Sequence, residues 1–371
     1  MKRTVHDRRV ESIQILRVSK FHEHFRRDAL MRAVAKHIFA HVKYVLAMPN
    51  NGPIETIDEA LAYHNELAQI ARQTTERHIG IIMTLYHSRK ITPQVIEYLA
   101  RSNIVRAVKH YPPVKNITTG SQEGGATIEE SGPMFERMQE NGVPFLVHCE
   151  DAVDTQGRPL DPTQGEAHMI RHRMWRLRDK FPRLRICIEH ASTVDAIQFV
   201  KADTSGNTVM TVTPHHPAFT NEDFVRFGND LKCKPIVQTR ENRDAIRTFM
   251  TSGDRRVIAG DDTAPHIRST KAMPFKKAAN GCWLPHSLAL YAKTFDEAGA
   301  LDERFERFMS INGPTWWHLP LPRADDTVTF YRTDTDDFPE PVLVPELDDV
   351  VVPLGWSEHE ASRLKIGWAI K

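Results

Sequence analysis

Short apolar runs and amphipathic stretches alternate along most of the 371 residues. The runs are SKFHEHF (19–25), VKYVLAMPN (42–50), HIGIIMTLYH (78–87), IVRAVKHYP (104–112), VPFLVHCE (143–150), RICIEHAS (185–192), TVMTVTPHH (208–216) and RVIAGDD (256–262). Their length and their Val and Ile content predict eight strands. The segments between them carry helical spacing. Leu30, Val34 and Ile38 mark one helix over 27–41, and Ile57, Leu61, Leu67 and Ile70 mark the buried face of another over 55–73, opened by Thr56. Further helices are expected over 92–101, 128–140, 163–180, 194–201 and 240–252. Strands and helices in this alternation predict a (β/α)8 TIM barrel rather than an open sheet. The expected division is a polar lead-in (1–18), the barrel (19–324) and an acidic, Pro-rich C-terminal appendage packed on it (325–371).

Composition narrows the partners. Charge is balanced at +1, with 40% hydrophobic and 26% charged residues, so nothing points to nucleic acid or an anionic membrane as partner. No apolar run approaches the ~18 residues of a membrane span. The opening MKRTVHDRRVESIQ lacks a signal-peptide core, so the expected location is the cytoplasm. Cys149, Cys187, Cys233 and Cys282 are spread without a CxxC pair and read as free packing thiols. The basic stretch RHRMWRLRDK reads as a solvated helix face, and His215 and His216 as structural.

The candidate chemistry sits at the strand ends. His22 and His24 are two apart, so on a strand they share a face about 7 Å apart, a spacing suited to a borderline metal. In a barrel of this kind the reactive groups lie at the C-terminal ends of the strands. Lys109, His148, His190 and Asp262 fall at such ends, followed by Ala264-Pro265-His266. Together they make a metal-site constellation.

At these residues the chain resembles the amidohydrolase superfamily, specifically the shorter, bacterial-type dihydroorotases. The motifs are HEHFR (22–26), AMPN (47–50), AVKHYP (107–112), FLVHCE (145–150), CIEHAST (187–193), DDTAPH (261–266) and INGP (311–314). The resemblance implies two Zn²⁺ per subunit. His22, His24 and Asp262 would hold one and His148 and His190 the other, bridged by N6-carboxylated Lys109 and hydroxide. Asp262 would be the catalytic proton carrier. Arg26, Asn50 and His266 would grip the substrate carboxylate, and the backbones of Lys234 and Asn280 would meet the ring. Thr118 and Thr119 would close a lid, and a homodimer is expected. The implied activity is reversible hydrolysis of (S)-dihydroorotate to N-carbamoyl-L-aspartate.

The chain also departs from the family pattern. Glu23 stands where an apolar residue is usual, and is expected to point toward the outer helices beside a cationic partner. Arg27-Asp28 replace Asp-Gly, Lys234 replaces an apolar residue and Cys149 a glycine. These changes keep two alternatives in view. One is a related cyclic-amide hydrolase acting on a hydantoin or dihydropyrimidine. The other is a catalytically silent partner subunit of aspartate transcarbamoylase.

Overall fold

The computed structural model describes residues 10–49, 52–113, 125–335 and 338–371. Thirteen strands occur among them. β1 (Ser12–Leu16) precedes the barrel strands β2 (Val18–Glu23), β3 (Val42–Ala47), β4 (Gly80–Tyr86), β5 (Val105–His110), β6 (Phe145–His148), β7 (Ile186–Glu189), β8 (Thr208–Val212) and β9 (Val257–Ala259). β10 (Thr327–Arg332), β11 (Val342–Val344), β12 (Asp349–Val351) and β13 (Trp368–Ile370) follow. β2 to β9 form one parallel sheet in sequence order. It closes just beyond the strand ends, where the Asp262 amide donates to the His22 carbonyl (2.9 Å) and the His24 amide to that of Thr263 (3.1 Å). This is a TIM barrel.

The barrel strands are buried on both faces, which is why they read as near-continuous apolar runs. Inside, side chains lie in layers two residues apart. Leu46, Ile82, Ala107, Leu146, Cys187, Val209 and Ile258 belong to the inner apolar cluster. Phe21 joins them and stacks on Trp317 with ring centroids 5.9 Å apart, so Trp316 and Trp317 plug the end away from the site. Two residues further along the same strands come Lys109, His148, Glu189 and Thr211, all buried.

Helix Ile57–Thr74 shows the local logic and one correction. Thr56 and Glu59 make a reciprocal capping box, so the start falls as the sequence predicts. The fully buried stripe, however, is Ala60, Tyr63, Leu67 and Ala71, while Ile57, Leu61 and Ile70 pack only partly buried at its edges. Ala60 and Ala71 let the ends of that stripe approach the sheet closely, with Tyr63 and Leu67 filling the space between them. The basic stretch over 165–180 is helical but carries a π turn at Ile170–Met174. Its Arg171 and Arg173 pair at the surface with Asp195 and with Glu129 and Asp151.

Three further expectations change. β8 ends at Val212 rather than running to His216, because Pro214 has no N–H to donate and the chain turns into a short helix, His215–Ala218. Glu23 has the expected cation, Lys20 Nζ at 3.9 Å, but it is completely buried and does not hold that cation alone. Lys20 sits closer to Asp261 (2.7 Å) and Ser287 (3.2 Å), so the expected cation is shared. Burial, with Asp261 beside it, raises the Glu23 carboxyl well above its usual range. Finally, β1 lies in the expected lead-in yet pairs antiparallel with β10, which pairs with β13, so both flanks of the barrel meet in one three-stranded sheet.

Candidate metal centre

Each candidate donor is turned inward by its strand or by the turn after it. Lys109 and His148 follow the two-residue pleat from Ala107 and Leu146. His190 and Asp262 lie past their strands and turn in through left-handed backbone, with φ of 41° and 47°, as does Arg26 at 64°. Such conformations cost roughly 1–3 kcal/mol each in non-glycine residues and cluster at functional sites. Around the His-X-His, the pairing of β2 with β3 slips between Lys20 and Glu23. That irregularity lets the neighbours Phe21 and His22 both face the interior.

Two sets of donors result. His22 Nε2, His24 Nε2 and Asp262 Oδ1 lie 3.0–3.3 Å from one another. His148 Nδ1 and His190 Nε2 are 3.0 Å apart, and the His190 ring is 5.0 Å from that of His22. A tetrahedral ion held by nitrogen at about 2.0–2.1 Å separates its ligands by roughly 3.3–3.4 Å. At 3.0–3.3 Å, both sets come close to that spacing. Facing imidazole lone pairs at this distance repel unless a proton or a cation lies between them, so the donor chemistry fits metal ions.

The opposite ring nitrogens are also occupied. His22 Nδ1 bonds the Glu189 carboxylate, which also accepts from the Thr211 hydroxyl (3.0 Å). His148 Nε2 bonds Glu150 Oε2 at 3.0 Å. Carboxylates behind ligating histidines fix the tautomer and raise ligand basicity. Burial is the strongest single influence on His22 and would lower it, but Glu189 and Asp262 together turn the net shift upward. Burial lowers His24 to about 4 and His190 well below its ordinary value. Asp262 resists the upward push of burial because hydrogen bonds from His22 and His24 hold it well below the usual carboxylate range.

Lys109 is completely buried, and among the described residues its Nζ has no hydrogen-bond partner. It lies 5.0 Å from the Tyr111 ring centroid, and burial lowers its amine to about 8. An amine in that state is largely freed from its proton not far above neutral pH, and neutral amines are nucleophiles.

Beside the donors, Arg26 Nε donates to the Pro265 carbonyl (2.8 Å), and its Nη2 is 3.0 Å from His266 Nε2. His266 Nε2 is also 2.8 Å from the Asn280 carbonyl. Arg26, His266 and Asn280 therefore form one group. Lys234 lies on another wall, with Nζ 2.7 Å from Glu150 Oε1. Asn50, Thr118 and Thr119 fall outside the described residues. A separate buried group, His215, His216 and Cys233, holds potential ligand atoms within 4.8 Å of one another. The four cysteines are free and buried.

Sequence reasoning did not single out Glu150, Glu189 or Thr211. Glu189 and Thr211 had a readable signal, since they stand two residues after Cys187 and Val209 and so on the same inward face. Glu150 stands two residues after His148 in the run 143–150, although the strand itself ends at His148.

No protein-family model matches the chain. A dihydroorotase of Synechococcus sp. (strain CC9605) is 32% identical over 367 residues, which is 97% of each chain. The chain belongs to the dihydroorotase family. Among solved structures, dihydroorotase from Saccharomyces cerevisiae superposes with a TM-score of 0.85 at 24% identity, covering 98% of this chain and 99% of that one. An L-hydantoinase from Arthrobacter aurescens is more distant, at TM-score 0.66 and 17% identity, covering 83% and 72%. Membership of the dihydroorotase family thus spans the barrel, the donor sets and the flanking sheet together. No helix among the described residues is long and apolar enough to cross a membrane.

Proposed function

We propose that the protein catalyses the reversible hydrolysis of the cyclic amide of (S)-dihydroorotate to N-carbamoyl-L-aspartate. The observation that carries this reading is full-length dihydroorotase-family membership in a chain whose two donor sets converge beside Arg26. Two Zn²⁺ ions would be held, one by His22, His24 and Asp262 and the other by His148 and His190. Bound there, the metals supply a water acidic enough to be hydroxide at neutral pH and a Lewis acid for the ring carbonyl.

The remaining work falls to the chain's own residues. The neutral Nζ of Lys109 adds to CO₂, forming an N–C bond and releasing one proton. This turns a poor ligand into an anionic oxygen ligand suited to a place between two cations. Asp262, kept ionised by its histidine neighbours, takes a proton from the attacking water. It returns that proton to the ring nitrogen as the carbon–nitrogen bond breaks.

Arg26 offers a planar fork to the substrate carboxylate, held in place by Pro265 and beside His266. The yeast relative in complex with 5-fluoroorotic acid supports a ligand of this carboxylate-bearing ring class. Asn50 would complete the grip, the backbones of Lys234 and Asn280 would border the ring, and Thr118 and Thr119 would cover it.

The test is ultraviolet absorbance of dihydroorotate ring opening, with zinc-loaded and chelated protein, against hydantoin and dihydropyrimidine controls. Chelator-sensitive turnover of dihydroorotate above the other rings is expected. Preference for another ring would overturn the substrate, and no turnover of any ring by metal-loaded protein would overturn the enzyme.

A further inference from the structure

Glu150 is a buried carboxylate with a different partner on each oxygen. Oε2 faces His148 Nε2 at 3.0 Å, and Oε1 faces Lys234 Nζ at 2.7 Å. Glu150 and His148 are each 2% exposed, while the Lys234 side chain is 19% exposed and reaches in from the far wall. The flank of Glu150 is closed by Gly165, where an added Cβ would come within 2.7 Å of Glu150 Cγ and of the Asp151 carbonyl. The carboxylate is therefore clamped between a glycine, an imidazole and an ammonium.

A neutral imidazole has two tautomers, and its partners choose between them. A carboxylate at Nε2 accepts only, so the ring carries its proton there. The lone pair then belongs to Nδ1, the atom 3.0 Å from His190 Nε2. The choice holds only while the carboxylate stays on Nε2, and a buried charge needs its counter-charge to stay in place. Lys234 is the cation that pairs with it.

We propose that Lys234 is a positioning residue of the metal centre. It holds Glu150 on His148 and thereby turns the His148 Nδ1 lone pair toward His190. The residue acts through its side chain, quite apart from any backbone contact with substrate. The proposal rests on His148 being a metal ligand, as the proposed function has it. Without the ammonium, the buried Glu150 carboxylate loses its counter-charge and is no longer pinned against the His148 ring.

Two variants and two readouts test this. Lys234→Met keeps the length of the side chain without its charge, and Lys234→Arg restores a cation. In metal-free protein labelled with ¹⁵N-histidine, long-range ¹H–¹⁵N correlation at alkaline pH reports the His148 tautomer, assigned by a His148→Gln spectrum. In zinc-loaded protein, transfer to a chromogenic chelator reports how fast each ion leaves. Lys234→Met is expected to shift His148 from the Nε2–H form to a mixture and to speed loss of one ion about tenfold, the lower end of the effect of partners behind a ligand. Lys234→Arg is expected to restore both. An unchanged His148 spectrum in Lys234→Met overturns the proposal, whatever the metal does. Wild-type protein that takes up no zinc would overturn the metal-centre reading instead, because the tautomer comparison uses metal-free protein.

Discussion

His286 offers a direct test of how strongly the interior resists charge. It is 6% exposed, stands just before helix Ser287–Glu297 and packs on Phe338 with ring centroids 4.7 Å apart. Among the described residues, neither ring nitrogen has a hydrogen-bond partner. Burial alone lowers its pKa from 6.5 to about 3. The folded value lies below the unfolded one, so its contribution to stability is complete above pH 6.5 and is lost as pH falls from there toward 3. By about pH 5 the unfolded chain has bound a proton that the native state refuses, a loss of about 2 kcal/mol. His286→Leu removes the titration and keeps an apolar side chain in place. Urea unfolding of metal-stripped wild type and variant, at about pH 7.5 and about pH 5, measures the difference. Wild type should lose about 2 kcal/mol more than the variant between the two conditions. Equal losses would refute the reasoning and mean that water reaches the ring through the adjoining cavity, which Lys20, His37, His41 and Phe338 also line.

Three further outcomes are expected. Asp262→Ala should keep much of the metal but lose about 10²–10⁴-fold in turnover, measured by ring opening; near-normal rates would remove its proton-carrying role. Lys109→Ala should lose activity and regain part of it with short-chain carboxylic acids that replace the missing oxygen ligand. A fully active, fully metallated variant would remove the carboxylated lysine. Gly313→Ala should destabilise the fold by about 1–3 kcal/mol in denaturant unfolding, because its methyl would run into the buried Phe21 ring. An unchanged midpoint would mean that the Phe21–Trp317 stack yields at little cost.

The barrel was legible because parallel strands buried on both faces are written as apolar runs, and those runs need no distant information to recognise. The donors were legible for a related reason: Ala107 to Lys109 and Leu146 to His148 are single pleat steps, so an inward floor residue announces an inward reactive one. His190 and Asp262 escape that rule, since positive φ rather than the pleat turns them in. They were found by their place at the ends of apolar runs. Elsewhere the missing information was non-local. Glu150 takes its meaning from Lys234, 84 residues later, and Glu23 shares its cation with Asp261. Lys20 lies three residues before Glu23, but no spacing within one segment encodes the arrival of Asp261 or Lys234. β8 stops at a proline that apolar counting passed over.

The sheet of β1, β10 and β13 also bears on how the chain reaches its native state. Only Arg17 separates β1 from β2, the strand that leads into His22 and His24. Ser12–Leu16 pairs with Thr327–Tyr331, so its partner is synthesised some 300 residues later. A ribosome making this protein has emitted every barrel strand before the segment anchoring the first one exists. Closing so long a loop costs entropy that only the finished barrel can offset. The metal centre is therefore expected to set late, as the seam where the opening and closing stretches of the polypeptide are drawn together.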